Sequence, residues 1–215
     1  MIRNTKEVPL FTKKKISNGT TLAIWKCSES LETLLPLVHI GDSERAKLAS
    51  FSNEKRKIHF LSTRILCNLI APESKIRYNS EGKPFLNSVN LHLSISHSHD
   101  FVAVLISSSP FIGLDIQKKQ DNIFRIKDRF INDHEKSTFK YDDLNDLTLI
   151  WCAKETIYKI HGDRNVFFKE HMEVRRVIND DARFDVKLNH HLYEGVHRIQ
   201  HELIEDYTLV YTVFD

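Results

Sequence analysis

Residues 111–117 read FIGLDIQ, a stretch that has the apolar flanks of a buried strand and an acid, Asp115, near its centre. In an extended chain alternate side chains point to opposite faces, so Gly113, Asp115 and Gln117 share one face. A lone buried carboxylate is unfavourable unless a cation or hydrogen-bond donors compensate its charge. Gly113 leaves room for another group beside Asp115. The pattern fits a magnesium ion with a phosphate ligand, or an Asp that closes the end of a strand.

Further along, residues 151–160 read WCAKETIYKI and predict an amphipathic helix. One side of its helical wheel is apolar and carries Leu149, Ile150, Ala153, Ile157 and Ile160. The opposite side carries Trp151, Lys154, Glu155, Tyr158 and Lys159. A carboxylate between two lysines suits a second metal ligand beside phosphate-binding cations; the alternative is a solvated face with weak Glu–Lys pairs. The two aromatic side chains argue against the solvated alternative.

Upstream, the stretch LHLSISHS alternates as a strand does. One face would carry Ser94, Ser96 and Ser98, and the other Leu93, Ile95 and His97. Hydroxyl and imidazole groups suit phosphate recognition, and a nearby diphosphate would raise the pKa of His97 above its ordinary value of about 6.5. A purely structural histidine is the alternative. A serine nucleophile is not supported, because no G-x-S-x-G turn accompanies the stretch.

The remaining sequence predicts the order of the elements. Residues 20–25 predict a strand, and helices are expected near Asp42 and after Ser52. The second of these helices would have an apolar face of Ile58, Leu61, Ile65 and Leu69, and an opposite side with Arg56, His59 and Thr63. FVAVLI, at 101–106, predicts a strand onto which FIGLDIQ is expected to pair back as a hairpin. Residues 121–161 predict helical structure that ends at Gly162, and strands follow.

This order contains no tandem βαβ pattern and therefore indicates an α+β fold. Residues 52–70 and 132–160 each place a Glu-Lys start before a helix that carries a base, Arg64 or Lys154. Such a faint repeat favours two related halves that meet around residues 107–110.

Length and composition limit the class of protein. The chain has 215 residues, a mass of 25.2 kDa and a formal charge of +2, which argues against a nucleic-acid-binding protein. The three cysteines, Cys27, Cys67 and Cys152, form no CxxC pair and indicate free thiols in a reducing compartment. With no signal core and no apolar run of about 20 residues, a soluble cytoplasmic protein is expected.

Four motifs occur in order: GKP at 82–84, SISHS at 94–98, GLDIQ at 113–117 and WCAKETIYK at 151–159. In this the chain resembles the 4′-phosphopantetheinyl transferases of the surfactin-synthetase-activating type. The resemblance extends from about residue 44 to 161. It implies an α+β fold of two similar α/β subdomains in a pseudo-twofold arrangement, residues 1–109 and 110–215, with the active site in the cleft between them.

The resemblance also implies an activity. Such an enzyme moves the phosphopantetheine arm of coenzyme A to a serine of an apo acyl or peptidyl carrier protein, and releases adenosine 3′,5′-bisphosphate. Asp115 and Glu155 match the acids that hold Mg²⁺, with Glu155 also the candidate base, and Lys154 and Lys159 match the lysines near the phosphates and leaving group. The coenzyme A contacts implied are Lys83, Ser96 and His97, with Arg45, Lys47, Arg56 and His59 as candidates for the 3′-phosphate.

One position departs from the family pattern, because Gln117 stands where a third metal-side acid is usual. An amide oxygen can still coordinate a metal, or a water can take its place. With one negative charge fewer we expect a looser Mg²⁺ site that tolerates Mn²⁺.

The resemblance implies a monomer that meets an acidic carrier protein. Residues 123–139 are either a docking segment for that partner or an ordinary amphipathic helix. Two rival interpretations stay open: a Mg²⁺-dependent phosphodiesterase that uses the same acids, and a non-catalytic protein that binds coenzyme A or a nucleotide. The C-terminal histidines suggest zinc, but the strand pattern would put His197 and His201 well apart.

Overall fold

The computed structural model describes residues 10–72, 74–87 and 90–214, and the chain divides into two compact units, Met1–Ser108 and Ser109–Asp215. The elements of unit 1 are β1 (Leu10–Ser17), β2 (Thr20–Lys26), α1 (Leu31–Leu34), a 3₁₀ turn (Leu35–Leu37), α2 (Asp42–Ala49), α3 (Glu54–Ile70), β3 (Ile76–Tyr78), β4 (Pro84–Leu86), β5 (His92–Ser98) and β6 (Phe101–Ser107). Those of unit 2 are β7 (Leu114–Lys118), two 3₁₀ turns (Asp121–Arg125 and Lys127–Arg129), α4 (Asp133–Thr138), α5 (Leu144–His161), α6 (Phe168–His171), β8 (Met172–Val177), β9 (Asp180–His190), β10 (Tyr193–Ile204) and β11 (Tyr207–Thr212).

Unit 1 is built on a four-stranded sheet in the order β1-β2-β6-β5, with β3 and β4 as a separate hairpin. Every residue of β6 is buried, as expected of an apolar strand that a helix covers. Helix α3 supplies that cover, and its N-cap is Asn53, whose side chain accepts a hydrogen bond from the Arg56 amide at 3.2 Å.

The predicted faces of α3 are partly wrong. Leu61 and Ile65 are buried as expected, but Leu69 is 42% exposed. His59 and Thr63, which were placed on the polar side, are buried instead. The wheel failed because α3 contacts more than one neighbour, so its buried stripe is wider than a single apolar face.

Unit 2 contains a five-stranded sheet in the order β7-β11-β10-β9-β8. The predicted hairpin between residues 101–106 and 111–117 is wrong, because β7 pairs with β11, which is the last strand of the unit in sequence. Gly113 joins the same pairing: its amide donates to Thr212 Oγ1 at 3.1 Å, and its carbonyl accepts from the Thr212 amide at 3.1 Å. Asp115 therefore lies opposite Val210.

The helical stretch predicted for residues 121–161 is present as two 3₁₀ turns, α4 and α5 rather than as one continuous element. Asp143 caps α5 by accepting hydrogen bonds from the amides of Asn145 and Asp146 at 2.9 and 3.0 Å. The helix ends at Gly162, as predicted, with the left-handed φ of 69° that favours glycine after a helix.

The mixed α and β content is confirmed, and each strand pairing in the described residues is antiparallel, as expected in the absence of a βαβ pattern. Across the same residues, no helix is long and apolar enough to span a membrane.

Each unit links its long helix to a short one by a comparable ion pair. In unit 1, Glu44 in the first turn of α2 accepts from the Gly41 amide at 3.4 Å and from Arg64 Nε on α3 at 2.7 Å. In unit 2, Glu135 in the first turn of α4 accepts from the Asn132 amide at 2.9 Å and from Lys154 Nζ on α5 at 2.8 Å. Within each pair, the two partners are separated by nearly the same number of residues along the chain, 20 in unit 1 and 19 in unit 2.

Candidate active site

Asp115 lies on β7 where α5 packs against that strand, and only 1% of its surface is exposed. Its Oδ1 atom accepts a hydrogen bond from Lys159 Nζ at 2.7 Å. The same ammonium donates to the carbonyl oxygen of Leu114 at 2.9 Å. The charge of this buried acid is therefore compensated within unit 2 by a lysine from one of the four motifs.

Gly113 explains why β7 and α5 lie so close together. A Cβ on Gly113 would lie 1.9 Å from the carbonyl oxygen of Thr156, a distance that no side chain tolerates. The group that approaches the strand here is therefore the backbone of α5. The sequence-based interpretation, that Gly113 admits a bound ligand, is replaced by helix packing at this position. The close approach brings Glu155 and Lys159 beside Asp115.

Glu155 is the second acid of the site. Burial raises the pKa of Glu155 to about 7, and the negative charge of Asp115 adds to this rise, while Lys159 opposes it. Cys152, one turn earlier on α5, responds to the same acid, since burial and then the charge of Asp115 raise the pKa of its thiol. The two carboxylates predicted to act together thus lie near enough for the charge of Asp115 to affect the protonation of Glu155.

The donor set suits a hard cation. In the part of the chain that the structure describes, no group of three or more His, Cys, Asp or Glu side chains is arranged to hold a metal ion. Mg²⁺, however, is usually bound by one or two carboxylates together with waters and substrate phosphates. Asp115 and Glu155 are such a pair. Gln117 is half-buried, two residues from Asp115 on β7, so the strand alternation puts both side chains on one face of the sheet.

Lys154 occupies a different environment from the one predicted. It is fully buried, and its ammonium donates to three oxygens: Phe130 O at 2.6 Å, Glu135 Oε2 at 2.8 Å and Phe168 O at 3.0 Å. An ammonium has three N–H donors, so these bonds use all of them. The expectation that Lys154 faces phosphate oxygens is therefore corrected, because residues 130, 135 and 168 cover this side of the helix.

The aromatic residues of the same helix belong to that cover. Trp151 packs against the rings of Phe130 and Phe168 with centroid distances of 5.2 and 5.5 Å, and Tyr158 packs against Phe168 at 5.8 Å. The prediction that these aromatics are not on a solvated face is confirmed by the partial burial of both.

In unit 1, His97 is exposed on β5, and its ring lies 4.7 Å from that of His59 on α3. Ser96 is buried, because the serine face of β5 points inward. His59 is also buried, and its Nε2 atom lies 2.8 Å from the carbonyl oxygen of His99. Burial lowers the pKa of His59, so its ring is neutral at pH 7 and differs from the cation expected to meet a phosphate.

Of the other basic residues predicted in unit 1, Arg45, Lys47 and Arg56 are exposed and Lys83 is half-buried. Lys47 and Arg56 both lie over the ring of Phe51, at 5.7 and 4.9 Å from its centroid. Arg45 is exposed and donates from Nε to the carbonyl oxygen of Ile40 at 3.2 Å. Lys83 is half-buried in the turn between β3 and β4, where its amide donates to Asn79 Oδ1 at 2.8 Å. Burial lowers the pKa of Lys83.

Glu135 is a residue that the motif search missed. It is fully buried and accepts hydrogen bonds from the Asn132 amide, Lys154 Nζ and the Val174 amide, the last at 2.7 Å. A signal for it exists in the sequence, because Asn132 followed by Glu135 has the spacing of a capping box at a helix start.

Comparison with known proteins agrees with these observations. Residues 111–212 match the model of the 4′-phosphopantetheinyl transferase superfamily. The chain is also similar to the 4′-phosphopantetheinyl transferase gsp of Aneurinibacillus migulanus, at 26% identity over 138 residues, which are 62% of this chain. The match spans 55% of the length of that relative.

The matched region contains β7, α5 and β11, the elements that bring Asp115, Glu155 and Lys159 together. The resemblance predicted from the four motifs is supported by both comparisons: residues 111–212 are similar to the 4′-phosphopantetheinyl transferase superfamily, and the chain is similar to a transferase of that kind.

Proposed function

We propose that this protein is a 4′-phosphopantetheinyl transferase that acts on coenzyme A and an apo acyl or peptidyl carrier protein. The observation that carries the proposal is the convergence of Asp115, Glu155 and Lys159 in the region that matches the superfamily. The serine hydroxyl of the carrier protein attacks the phosphorus that bears the pantetheine arm. The bond from this phosphorus to adenosine 3′,5′-bisphosphate breaks, and the holo carrier protein forms.

Asp115 and Glu155 would hold a magnesium ion, or manganese, with Gln117 as a neutral neighbour. The ion, when bound, supplies positive charge against the diphosphate of coenzyme A. Two carboxylates are enough for this role, because substrate phosphates and waters complete the coordination of Mg²⁺. With an amide in place of a third acid, we expect weaker metal binding than three carboxylates would give.

Glu155 is the candidate general base. A base works best when its pKa lies near the working pH. Burial together with Asp115 raises the pKa of Glu155 to about 7 in the metal-free protein, and a bound cation would lower it. A carboxylate has two oxygens, so one can meet a cation while the other accepts the proton of the attacking serine.

Lys159 is the candidate for stabilising the leaving phosphate. Its ammonium donates to Asp115 Oδ1 and Leu114 O, and these two hydrogen bonds fix its position. A fixed positive charge stabilises the negative charge that develops as the bond to phosphorus breaks. Lys154 has no direct role in this scheme, because its three N–H donors are already used.

We propose that residues of unit 1 contact coenzyme A. His97 and Lys83 are the candidates for contact with the nucleotide. The candidates for the 3′-phosphate are Arg45 and the two cations that lie over the ring of Phe51, Lys47 and Arg56. His59 supports His97 through the contact of their rings. Ser96, whose hydroxyl is on the buried face of β5, is now the weakest candidate.

The carrier protein is expected to be acidic. Within residues 123–139, the exposed cations are those of Arg125, Arg129 and Lys136, and Lys136 is paired with Asp133. Lys127 is paired with Asp142 and lies over the ring of Tyr141. We therefore propose Arg125 and Arg129 as the first contacts for such a partner.

We also propose a cytoplasmic monomer of two similar subdomains. Each unit has its own hydrophobic core, an antiparallel sheet and a long helix bound to a short one by an ion pair. Three free cysteines suit a reducing compartment.

The decisive test is intact mass spectrometry of apo carrier proteins incubated with this protein, coenzyme A and Mg²⁺. A gain of one phosphopantetheine mass, lost in Asp115→Ala and Glu155→Ala, is expected. Consumption of coenzyme A without any carrier protein would favour a phosphodiesterase instead. Binding of coenzyme A with no gain on several carriers would favour a non-catalytic binding protein, and Gln117→Glu would then be the first variant to make.

A further inference from the structure

A buried ion pair in unit 2 holds the helix that carries Glu155. Lys154 donates to Glu135 Oε2 at 2.8 Å and to the carbonyl oxygens of Phe130 at 2.6 Å and Phe168 at 3.0 Å. Glu135 in turn accepts from the amides of Asn132 and Val174. Neither side chain of the pair is exposed. Three separate segments, before α4, at the start of α6 and on β8, are thus connected to one turn of α5.

Aromatic side chains from two of these segments also pack against the turn of α5 that contains Lys154. Phe130 and Phe168, whose carbonyls accept from Lys154, also pack their rings on Trp151. The contacts fix both the rotation of α5 about its axis and its position along that axis. Glu155 is the next residue after Lys154, at about 100° around the helix, so its direction follows from that of Lys154.

Unit 1 has a comparable pair with a different neighbour. Arg64 on α3 donates to Glu44 at 2.7 Å and to the carbonyl oxygen of Phe60 at 3.1 Å. The next residue there is Ile65, which lies in the hydrophobic core of unit 1. The same structural device therefore presents an apolar side chain in unit 1 and a carboxylate in unit 2.

We propose that the Glu135–Lys154 pair is a positioning device that directs Glu155 toward Asp115, and that Glu135 and Lys154 act on the transfer reaction only through Glu155. This inference rests on the proposed function. It makes Lys154 a positioning residue although the motif it belongs to suggests direct contact with a phosphate.

The test compares two double variants. Glu135→Gln/Lys154→Met removes both charges, so no buried charge is left without a partner, and such isosteric replacement of a buried pair usually leaves a folded protein. Glu44→Gln/Arg64→Met is the matched control in unit 1. For the first variant we expect kcat to fall by about tenfold or more, while the KM for coenzyme A changes by less than about threefold. The reason is that misorientation of a reacting group lowers the rate of the chemical step more than it weakens substrate binding. The control should keep kcat within about threefold of the parent at an equal loss of thermal stability.

Three results would overturn the proposal: a kcat that stays within about threefold of the parent, an equal fall of kcat in the control, or a rise of the KM for coenzyme A with little change in kcat. The last would mean that Lys154 binds a phosphate directly.

A second measurement is independent of activity. The chain has two tryptophans, Trp25 and Trp151, so Trp151 is the sole fluorophore of its kind in a Trp25→Phe background. Its emission should shift in Glu135→Gln/Lys154→Met and not in the control. If the parent protein transfers nothing to any carrier, the proposed function has failed. Unchanged Trp151 emission would then refute the positioning of α5 by this pair, and a shift would support it.

Discussion

Asp115 is a buried acid that accepts a hydrogen bond from Lys159, a lysine of the motif at residues 151–159. The sequence suggested that a metal and a diphosphate compensate its charge, whereas Lys159 does so through a 2.7 Å hydrogen bond in the protein itself. Glu155 has no such direct partner among the hydrogen bonds described above and keeps a pKa of about 7 through burial and the charge of Asp115. At the scale of single residues, the two acids of the site are therefore not equivalent: Asp115 orients a cation, and Glu155 can exchange a proton.

Glu155→Gln is expected to stabilise the metal-free protein at pH 8. An acid whose pKa is about 7 in the folded protein, against an ordinary value of about 4.3, binds more protons when folded than when unfolded between these values. Stability from this residue is therefore present at low pH and is lost as the pH rises through 7. At pH 8 the neutral amide should raise the free energy of unfolding by about 1–3 kcal/mol relative to the parent.

Thermal unfolding of parent and Glu155→Gln at pH 5 and pH 8, in the presence of a chelator, measures this difference. At pH 5 the difference between the two proteins should be much smaller than at pH 8, because Glu155 is then still protonated in the folded state and the loss of stability with rising pH has only begun. An equal difference at both pH values would show that the ionisation of Glu155 is not its cause. The variant should also fail to modify a carrier protein.

At the scale of elements, the contact of β7 with α5 decides where the site lies. Gly113→Ala would bring a methyl group against the Thr156 carbonyl, and the backbone cannot yield without separating strand and helix. We expect a loss of about 3 kcal/mol or more of stability, at the upper end of overpacking effects. Gly195→Ala is the control, since nothing lies within 4 Å of a Cβ there. It should leave the unfolding temperature unchanged or slightly raised, and an equal loss in both variants would contradict the packing argument.

Strands β9 and β10 and the end of α5 bring a set of histidines together, and this set predicts sensitivity to acid. His161 lies 4.4 Å from the ring of Tyr193 and 5.6 Å from that of His197, while His190 lies 4.8 Å from His171 and 4.1 Å from His191. Burial lowers the pKa of His190, with His191 and His171 adding to the effect, and burial lowers the pKa of His197. A histidine whose pKa is lowered on folding gives stability that is present above about pH 6.5 and is lost as the pH falls below it.

Thermal unfolding between pH 7.5 and 5.5 should therefore show a falling midpoint, and His197→Phe should make the fall less steep because the phenyl ring cannot be protonated. Gly195→Ala, a neighbour on β10, serves as the control with an unchanged slope. If His197→Phe has the same pH dependence as the parent, the cluster is not the cause of the acid sensitivity.

At the scale of the whole molecule, the cysteines report on the two units separately. Cys67 in unit 1 is 2% exposed, and Cys152 in unit 2 is fully buried. Burial raises the pKa of Cys67 to about 12 and raises that of Cys152 as well, so neither is a reactive thiolate at neutral pH.

We expect iodoacetamide at pH 7.5 to leave Cys67 and Cys152 unmodified in the native protein and to modify each when its own unit unfolds. Mass spectrometry of the peptides along a urea titration measures this. Alkylation of Cys152 without denaturant would contradict the packing of α5 against β11, because its thiol contacts the Thr208 carbonyl at 3.7 Å.

The sequence by itself predicted the candidate site residues and determined most of the elements. Asp115, Glu155 and Lys159 were identified from the residue types and spacing of two motifs. The strand-like composition of the C-terminal runs predicted strands there, and Gly162 predicted the end of α5. These features are local: a few neighbouring residues decide them, and their side chains repeat at the period of the element to which they belong.

Only the tertiary structure decided which elements meet. The partner of β7 is β11, with Gly113 bonded to Thr212 at a separation of 99 residues, and no local pattern specifies such a pairing. The wheel of α5 placed Lys154 and Glu155 on one side, but it could not tell that Phe130, Glu135 and Phe168 would cover the first and leave the second beside Asp115. Whether a polar side chain binds a ligand or is buried as a structural support depends on how distant segments pack around it. The contacts of those segments determine whether its charge meets protein or solvent, and its own position in the helix does not.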